Sequence, residues 1–262
     1  MVVESLQLIQ AAIFDYGETL VCPNAPNQMI VPKAMLAAYG VFVNAGLKET
    51  FGDFLAADIQ VFSRWGEVEA QENRDIPDIV KYQELVGQFF PNRSERWRMR
   101  VAAQANGWFW NVVANNYCLA KGAKRTLDEL ESMGLRMMVL SNHHNHRALV
   151  KHLKQLNLDR YFVGILSSVQ LGVRKPDPRA FEKCLTTLEV GNDEAIFVGD
   201  SISHDIAGAK AAGMKAILVK QGRRKSISRD QPSKTHTPKP DFTIHSLCQV
   251  PTIVRRLNSL VP

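Results

Sequence analysis

Apolar residues follow two rhythms along this chain. Short unbroken runs, Ala11-Ala12-Ile13-Phe14, Met137-Met138-Val139-Leu140 and Ala195-Ile196-Phe197-Val198, read as strands buried on both faces. Between and after them the spacing changes to the helical period. From residue 122 onward the pattern predicts a helix over 122–133 closed by Gly134, a strand over 136–140 and a helix over 144–155. A strand over 161–165, a helix over 178–188 and a strand over 195–198 follow. A helix over 203–212 closed by Gly213 and a strand over 215–219 continue the alternation. A strand over 241–244 and a helix around 246–257 complete it. Such alternation predicts an α/β fold, a three-layer Rossmann-like parallel sheet.

The segment from Pro23 to Tyr117 breaks the alternation. It shows no strand rhythm but four helical stretches, over 32–44, 50–65, 77–90 and 93–116, with Pro32 and Pro77 suited to first-turn positions. The chain therefore divides into a core, residues 1–22 and 120–262, and an inserted all-helical domain, residues 23–119. Trp65, Trp97, Trp108 and Trp110 lie in or beside those stretches; internal packing is their expected use, a substrate-facing wall the alternative.

Polar chemistry gathers where strands end. The first buried run enters Asp15-Tyr16-Gly17-Glu18-Thr19-Leu20, and the run at 137–140 enters Ser141-Asn142. Val173-Arg174-Lys175-Pro176-Asp177-Pro178 precedes a helix, and the run at 195–198 enters Gly199-Asp200, with Asp205 five residues on. In open α/β sheets ligands collect outside the carboxyl ends of the strands, and Mg²⁺ favours a few carboxylates plus phosphate oxygens. Taken singly, each signal also has a plain structural reading: a turn former, a strand end, a solvated loop lysine, a helix cap.

In this order and spacing, Asp15, Ser141, Lys175 and Gly199-Asp200 resemble the haloacid dehalogenase superfamily, mostly phosphatases and phosphotransferases working through an aspartyl-phosphate. The resemblance runs over residues 8 to 220. It implies that Asp15 is the nucleophile and that Mg²⁺ is held by Asp15, the Gly17 carbonyl, Asp200 and Asp205, the last through water. It further implies that Ser141 and Lys175, with Asn142 beside them, bind the phosphoryl group, and that the helical insertion is a cap. A carboxylate attacking phosphorus splits one hydrolysis into two easier steps, and a cation must offset the charge on both partners.

One position departs from that pattern. Two residues after the nucleophile the phosphatases usually carry a second Asp, which protonates the leaving oxygen and later activates water. Here it is Gly17. Glu18 is the obvious substitute, with a cap or solvent-facing role as the competing reading. Dehalogenases, phosphonate-cleaving hydrolases and phosphoryl-transferring ATPases of the superfamily also lack that Asp. The dehalogenases need no metal and do not resemble this chain at Gly199-Asp200. Phosphonate cleavage requires a Schiff-base lysine from the insertion, where Lys33, Lys48 and Lys81 are the only lysines and none stands out.

The expected function is thus a Mg²⁺-dependent hydrolase or phosphotransferase of a small phosphorylated metabolite, with a catalytically weak binding or regulatory protein as the alternative. Composition narrows the setting. The chain has 262 residues, 45% of them hydrophobic, with no apolar run of membrane-spanning length and no basic segment leading into an apolar one near Met1. Cys22, Cys118, Cys184 and Cys248 form no Cys-x-x-Cys pair, which argues against a zinc site and for a reduced, cytoplasmic protein. The net charge of +6 is concentrated: residues 221–240 hold six Lys and Arg against Asp230, a net +5. That stretch reads as an exposed basic loop without aromatics for base stacking, so nucleic acid is not the expected partner. His143, His144 and His146 cluster without a neighbouring carboxylate in the sequence, which points to histidines near a substrate or the surface rather than to metal ligands. Oligomeric state has no signature in the sequence.

Overall fold

A computed structural model describes residues 8–220 and 238–259. The basic stretch anticipated at 221–240 falls almost wholly outside these residues. Six parallel strands form the central sheet in the order β5-β4-β1-β6-β7-β8. They are β1 (Ala11–Phe14), β4 (Arg136–Ser141), β5 (Phe162–Ser167), β6 (Ala195–Gly199), β7 (Lys215–Val219) and β8 (Phe242–Ile244). Strand β1 lies between β4 and β6, in register Phe14 with Val139 and Val198.

Alternation along β1 explains the layering. Ala12 and Phe14 face a cluster that includes Leu127, Leu149, Leu153 and Val254, from helices α5 (Ala123–Ser132), α6 (His146–Gln155) and α10 (Val250–Asn258). Ala11 and Ile13 face the opposite cluster, with Phe181, Leu185 and Ala209 from α8 (Pro178–Leu188) and α9 (Ala207–Ala211). Every residue of β1 is buried on one side or the other, which is why the strand reads as an uninterrupted apolar run rather than an alternating one.

The insertion holds four helices: α1 (Asn27–Asn44), α2 (Phe51–Glu72), α3 (Asp78–Phe89) and α4 (Glu95–Asn115). They enclose a separate core in which Phe42 and Phe54 meet edge to face at 4.9 Å, with Tyr82, Leu85, Val101 and Ala105 around them. Of the four tryptophans, Trp65 and Trp97 pack against this core, Trp108 is exposed, and Trp110 turns toward the sheet.

Three local expectations change. Pro32 is interior to α1, which starts five residues earlier after Pro26, and Pro77 caps α3 from outside rather than occupying its first turn. The 203–212 helix divides into a π-type turn, Ile202–Ile206, and the short α9; such wide turns concentrate at functional sites. Two three-residue strands were not visible as alternation: β2 (Val21–Pro23) and β3 (Tyr117–Leu119) pair antiparallel where the chain leaves and re-enters the sheet. A three-residue strand is too short to display a period of two. A one-turn helix, α7 (Ser168–Leu171), follows β5.

Candidate active site

The carboxyl ends of β1, β4 and β6 open onto a cavity of about 360 Å³. Asp15 follows β1, Ser141 ends β4, Asp200 follows β6, and Lys175 enters from the loop before α8; all four line it, with Gly17, Glu18, Asn142 and Asp205. Asp15 is fixed by its own backbone, whose N–H donates to the Val198 carbonyl at 2.9 Å. Lys175 is buried between two carboxylates, donating to Asp15 Oδ1 at 2.7 Å and Asp205 Oδ1 at 2.6 Å. The second oxygen of Asp205 accepts from the Ser201 backbone N–H at 3.0 Å.

Two residues owe their identity to this packing. A Cβ on Gly199 would lie 2.3 Å from Asp205 Oδ2, so only glycine lets the β6 backbone pass beside that carboxylate. Asn142 grips the backbone of Lys175 from both sides: its amide nitrogen donates to the Lys175 carbonyl at 2.9 Å and its oxygen accepts from the Lys175 N–H at 2.8 Å. Its side chain therefore positions the lysine.

Charge is out of balance here. Asp15, Asp200 and Asp205 can bring ligand oxygens within 4.8 Å of one another, and Lys175 is the cation between them. Burial pushes Asp15 up to about 6 against the pull of Lys175. Burial and the charges of Asp15 and Asp205 push Asp200 up to about 8. Burial would lower Lys175, but its two carboxylates overcome that and raise it. Three crowded acids with one lysine leave excess negative charge and an all-oxygen donor set, which fits a hard divalent cation.

Glu18 lines the cavity, half-buried, on a backbone at φ 57°, the left-handed region a non-glycine residue seldom holds. Its charge contributes to the upward shifts of both Asp200 and Tyr117, so its carboxylate lies within electrostatic reach of the cavity centre and of the β3 wall. A Cβ on Gly17 would meet nothing within 4 Å.

Trp110 and His143 take the substrate-side places that the sequence left open for them, and Tyr16, Tyr117, His152 and His204 join them without having been singled out. Trp110 reaches in from α4 and packs against His143, ring centroids 4.4 Å apart and planes tilted by 36°. Burial holds His143 down to about 3, hence neutral. Tyr16 hydrogen-bonds His152 Nδ1, and Tyr117 and His204 complete the rim. Arg174, next to Lys175 in the chain, also lines the cavity.

The three neighbouring histidines diverge. His143 stays in the cavity, and His146 Nδ1 pairs with the Ser167 hydroxyl at 3.1 Å. His144 turns to carboxylates brought by the insertion: Glu69 at 3.2 Å and Asp75 at 3.8 Å. Lys81 occupies Glu69 at 2.8 Å and Arg174 occupies Asp75 at 2.8 Å, while Ser168 donates to Asp75. With two cations in place this group is an ion-pair clasp between the α2–α3 segment and the loops beside the cavity. Of the insertion's lysines, Lys81 is consumed in the clasp, and none of the three lines the cavity.

Comparison with known proteins agrees with this fold. The profile of the haloacid dehalogenase-like hydrolases matches residues 71–219, more than half the chain. Haloacid dehalogenase-like hydrolase domain-containing protein 3 of Xenopus laevis is 36% identical over 107 residues, 41% of this chain and 43% of that protein. A glyceraldehyde 3-phosphate phosphatase of Pyrococcus furiosus is 34% identical over 137 residues, 52% of this chain and 55% of that protein. The chain thus spans about half the length of these relatives. A 2-haloacid dehalogenase of Pseudomonas syringae pv. Tomato DC3000 superposes with a TM-score of 0.67 at 23% identity, covering 95% of this chain and 99% of that one, a likeness of fold. Among the described residues no helix is long and apolar enough to cross a membrane.

Proposed function

The chain belongs to the haloacid dehalogenase-like hydrolase family, and from that premise we propose that it is a Mg²⁺-dependent phosphatase of a small phosphorylated metabolite. The observation that carries this reading is the buried Asp15–Lys175–Asp205 arrangement with Asp200 beside it at one sheet edge. Asp15, the Gly17 carbonyl, Asp200 and Asp205 would hold Mg²⁺, which when bound offsets the charge of the phosphoryl group and of the acids around it. A glyceraldehyde 3-phosphate phosphatase among the relatives and a cavity of about 360 Å³ both suit a substrate of metabolite size. The four-helix insertion acts as the cap, with Trp110 its contribution to the wall.

Chemistry begins at Asp15. A carboxylate oxygen of Asp15 attacks phosphorus as the ester oxygen leaves, forming an acyl phosphate; Lys175 balances charge on the phosphoryl oxygens and Ser141 donates a hydrogen bond to them. Glu18 supplies the proton to the departing oxygen and then takes one from the water that attacks phosphorus, releasing phosphate and restoring Asp15. Its strained left-handed backbone supports this assignment, since such conformations persist where the surroundings impose them and cluster at functional sites. Asn142 serves as the residue that positions Lys175.

The same pocket without acid–base help would be a binding or regulatory module, a reading that rests on Gly17 alone. Intact mass after acid quench separates the two. With Mg²⁺ and acetyl phosphate the wild type gains one phosphoryl group and Asp15→Asn gains none. An unmodified wild type that also fails to hydrolyse any phosphomonoester would rule out the enzymatic reading.

A further inference from the structure

The chain crosses between sheet and helical insertion twice, through β2 and β3, and the two crossings are paired. In that ribbon Cys22 is the register partner of Cys118. Backbone bonds from Asn24 N–H to Asn116 O and from Ala120 N–H to Leu20 O, each 2.9 Å, flank them. Antiparallel pairs alternate in type, so Cys22 and Cys118 form a hydrogen-bonded pair with both side chains on one face, Cα atoms about 5.5 Å apart. That separation lies inside the roughly 4.4–6.8 Å range of disulfides, and bond formation asks the opposed Cβ atoms to close by about 1 Å. The Cys118 sulfur already leans across the ribbon, 3.6 Å from the Cys22 carbonyl oxygen. Cys118 is exposed and Cys22 buried, a reachable attacking thiol with its resolving partner behind it.

We propose that Cys22 and Cys118 are a redox site: a reversible cross-strand disulfide that restrains the helical insertion and slows turnover. The oxidant is a low-molecular-weight disulfide such as oxidised glutathione. The Cys118 thiolate attacks one of its sulfurs and expels a glutathione thiolate. The Cys22 thiolate then attacks the Cys118 sulfur of the mixed disulfide and expels the second glutathione. Two electrons pass from the protein to the glutathione disulfide, and the two cysteine protons end on the two glutathiones. The new bond closes a loop spanning 96 positions that contains all four inserted helices. It sits where any pivot must act: Gly17 bridges to Val21, and Tyr16, Gly17, Glu18 and Tyr117 line the cavity on either side of the ribbon. A cross-strand bond near the surface belongs to the labile class rather than the structural one.

The effect on turnover rests on the phosphatase reading; formation of the bond does not. The full chain is incubated with oxidised glutathione, alkylated, and examined by intact mass, peptide mapping and hydrogen exchange, alongside hydrolysis of p-nitrophenyl phosphate. The expected result is loss of two hydrogens, a linked Cys22–Cys118 peptide, slower exchange at the ribbon and the ends of α1 and α4, and activity reduced at least about fivefold. Dithiothreitol reverses all four. Cys118→Ser, an exposed position that folding tolerates, shows none of them. Mixed adducts alone, or links involving Cys184 or Cys248, overturn the proposal, as does a Cys22–Cys118 bond that changes neither exchange nor rate. A reduced protein with no activity would sink the phosphatase reading, while mass and exchange would still decide this one.

Discussion

Restoring the missing acid tests the site most directly. Gly17→Asp is sterically open, because a Cβ there meets nothing within 4 Å and the backbone is not in the left-handed region. General acid–base help is worth about a hundred to ten thousand fold in rate, and Glu18 already supplies part of it in this scheme, so the gain should be about ten to a hundred fold. It should depend on the leaving group. An alkyl phosphate, whose alkoxide must be protonated, should gain that amount, whereas p-nitrophenyl phosphate should gain less than about threefold. The new carboxylate also joins Asp15, Asp200 and Glu18, so the metal-free variant should melt earlier than wild type and recover with Mg²⁺. A double-mutant cycle with Glu18→Gln isolates the coupling: Glu18→Gln should cost about a hundredfold on alkyl phosphates in the wild type and little in the Gly17→Asp background. The measurement is kcat on both substrates for the four proteins at saturating Mg²⁺. Equal gains on both substrates, or an undiminished Glu18→Gln penalty in the Gly17→Asp background, would refute the assignment of Glu18.

Four further outcomes follow from the same geometry. Lys175→Met leaves Asp15 and Asp205 buried without their cation, so metal-free stability at neutral pH should fall by about 3–5 kcal/mol in denaturant melts, and an unchanged midpoint would contradict the pairing. Asp15 and Asp200 have raised folded-state values, about 6 and about 8, so the stability they contribute is present at acid pH and lost as pH rises through those values. The Mg²⁺-induced rise in Tm should therefore be larger at pH 8 than at pH 5.5, and Asp200→Asn should shrink that difference. At the clasp, burial would lower His144 but hydrogen bonding to Glu69 and the Asp78 charge raise it, so its contribution is present below about 6.5 and lost as pH rises through the raised folded value; His144→Gln should flatten that portion of the stability profile, measured by urea titration. Gly199→Ala forces a methyl into Asp205, costing about 1–3 kcal/mol and weakening the Mg²⁺-dependent Tm shift; an unaltered shift would mean Asp205 is not needed there.

What was legible in the sequence is what local physics dictates. β1, β4 and β6 are buried on both faces by the helices, and a doubly buried strand must be continuously apolar, so each announced itself. Asp15, Ser141, Lys175 and Asp200 stood at the ends of strands or before a helix, where an open sheet collects polar chemistry. The clasp was illegible for the converse reason. Glu69, Asp75 and His144 come from the insertion and from a core loop, and nothing in the spacing of 69, 75 and 144 signals that they meet. The reading of the histidines as lacking a carboxylate held only along the sequence; in space the acids come from another element.

Arg174 and Lys175 show how these two levels join. Adjacent in the chain, they face opposite tasks: Lys175 serves Asp15 and Asp205, while Arg174 reaches Asp75 between α2 and α3. Asn142 clamps the backbone of the same lysine. A shift of the α2–α3 segment that kept the Asp75 pair would thus pull on the residue next to the buried lysine, whereas Asn142 would resist transmission of that pull. The α2–α3 segment and the carboxylate of Asp15 are therefore joined through one peptide unit, and any coupling between them depends on how firmly Asn142 holds it. Asn142→Ala should leave the clasp intact yet make the rate sensitive to substitutions at Asp75, a non-additivity that two unconnected sites would not display.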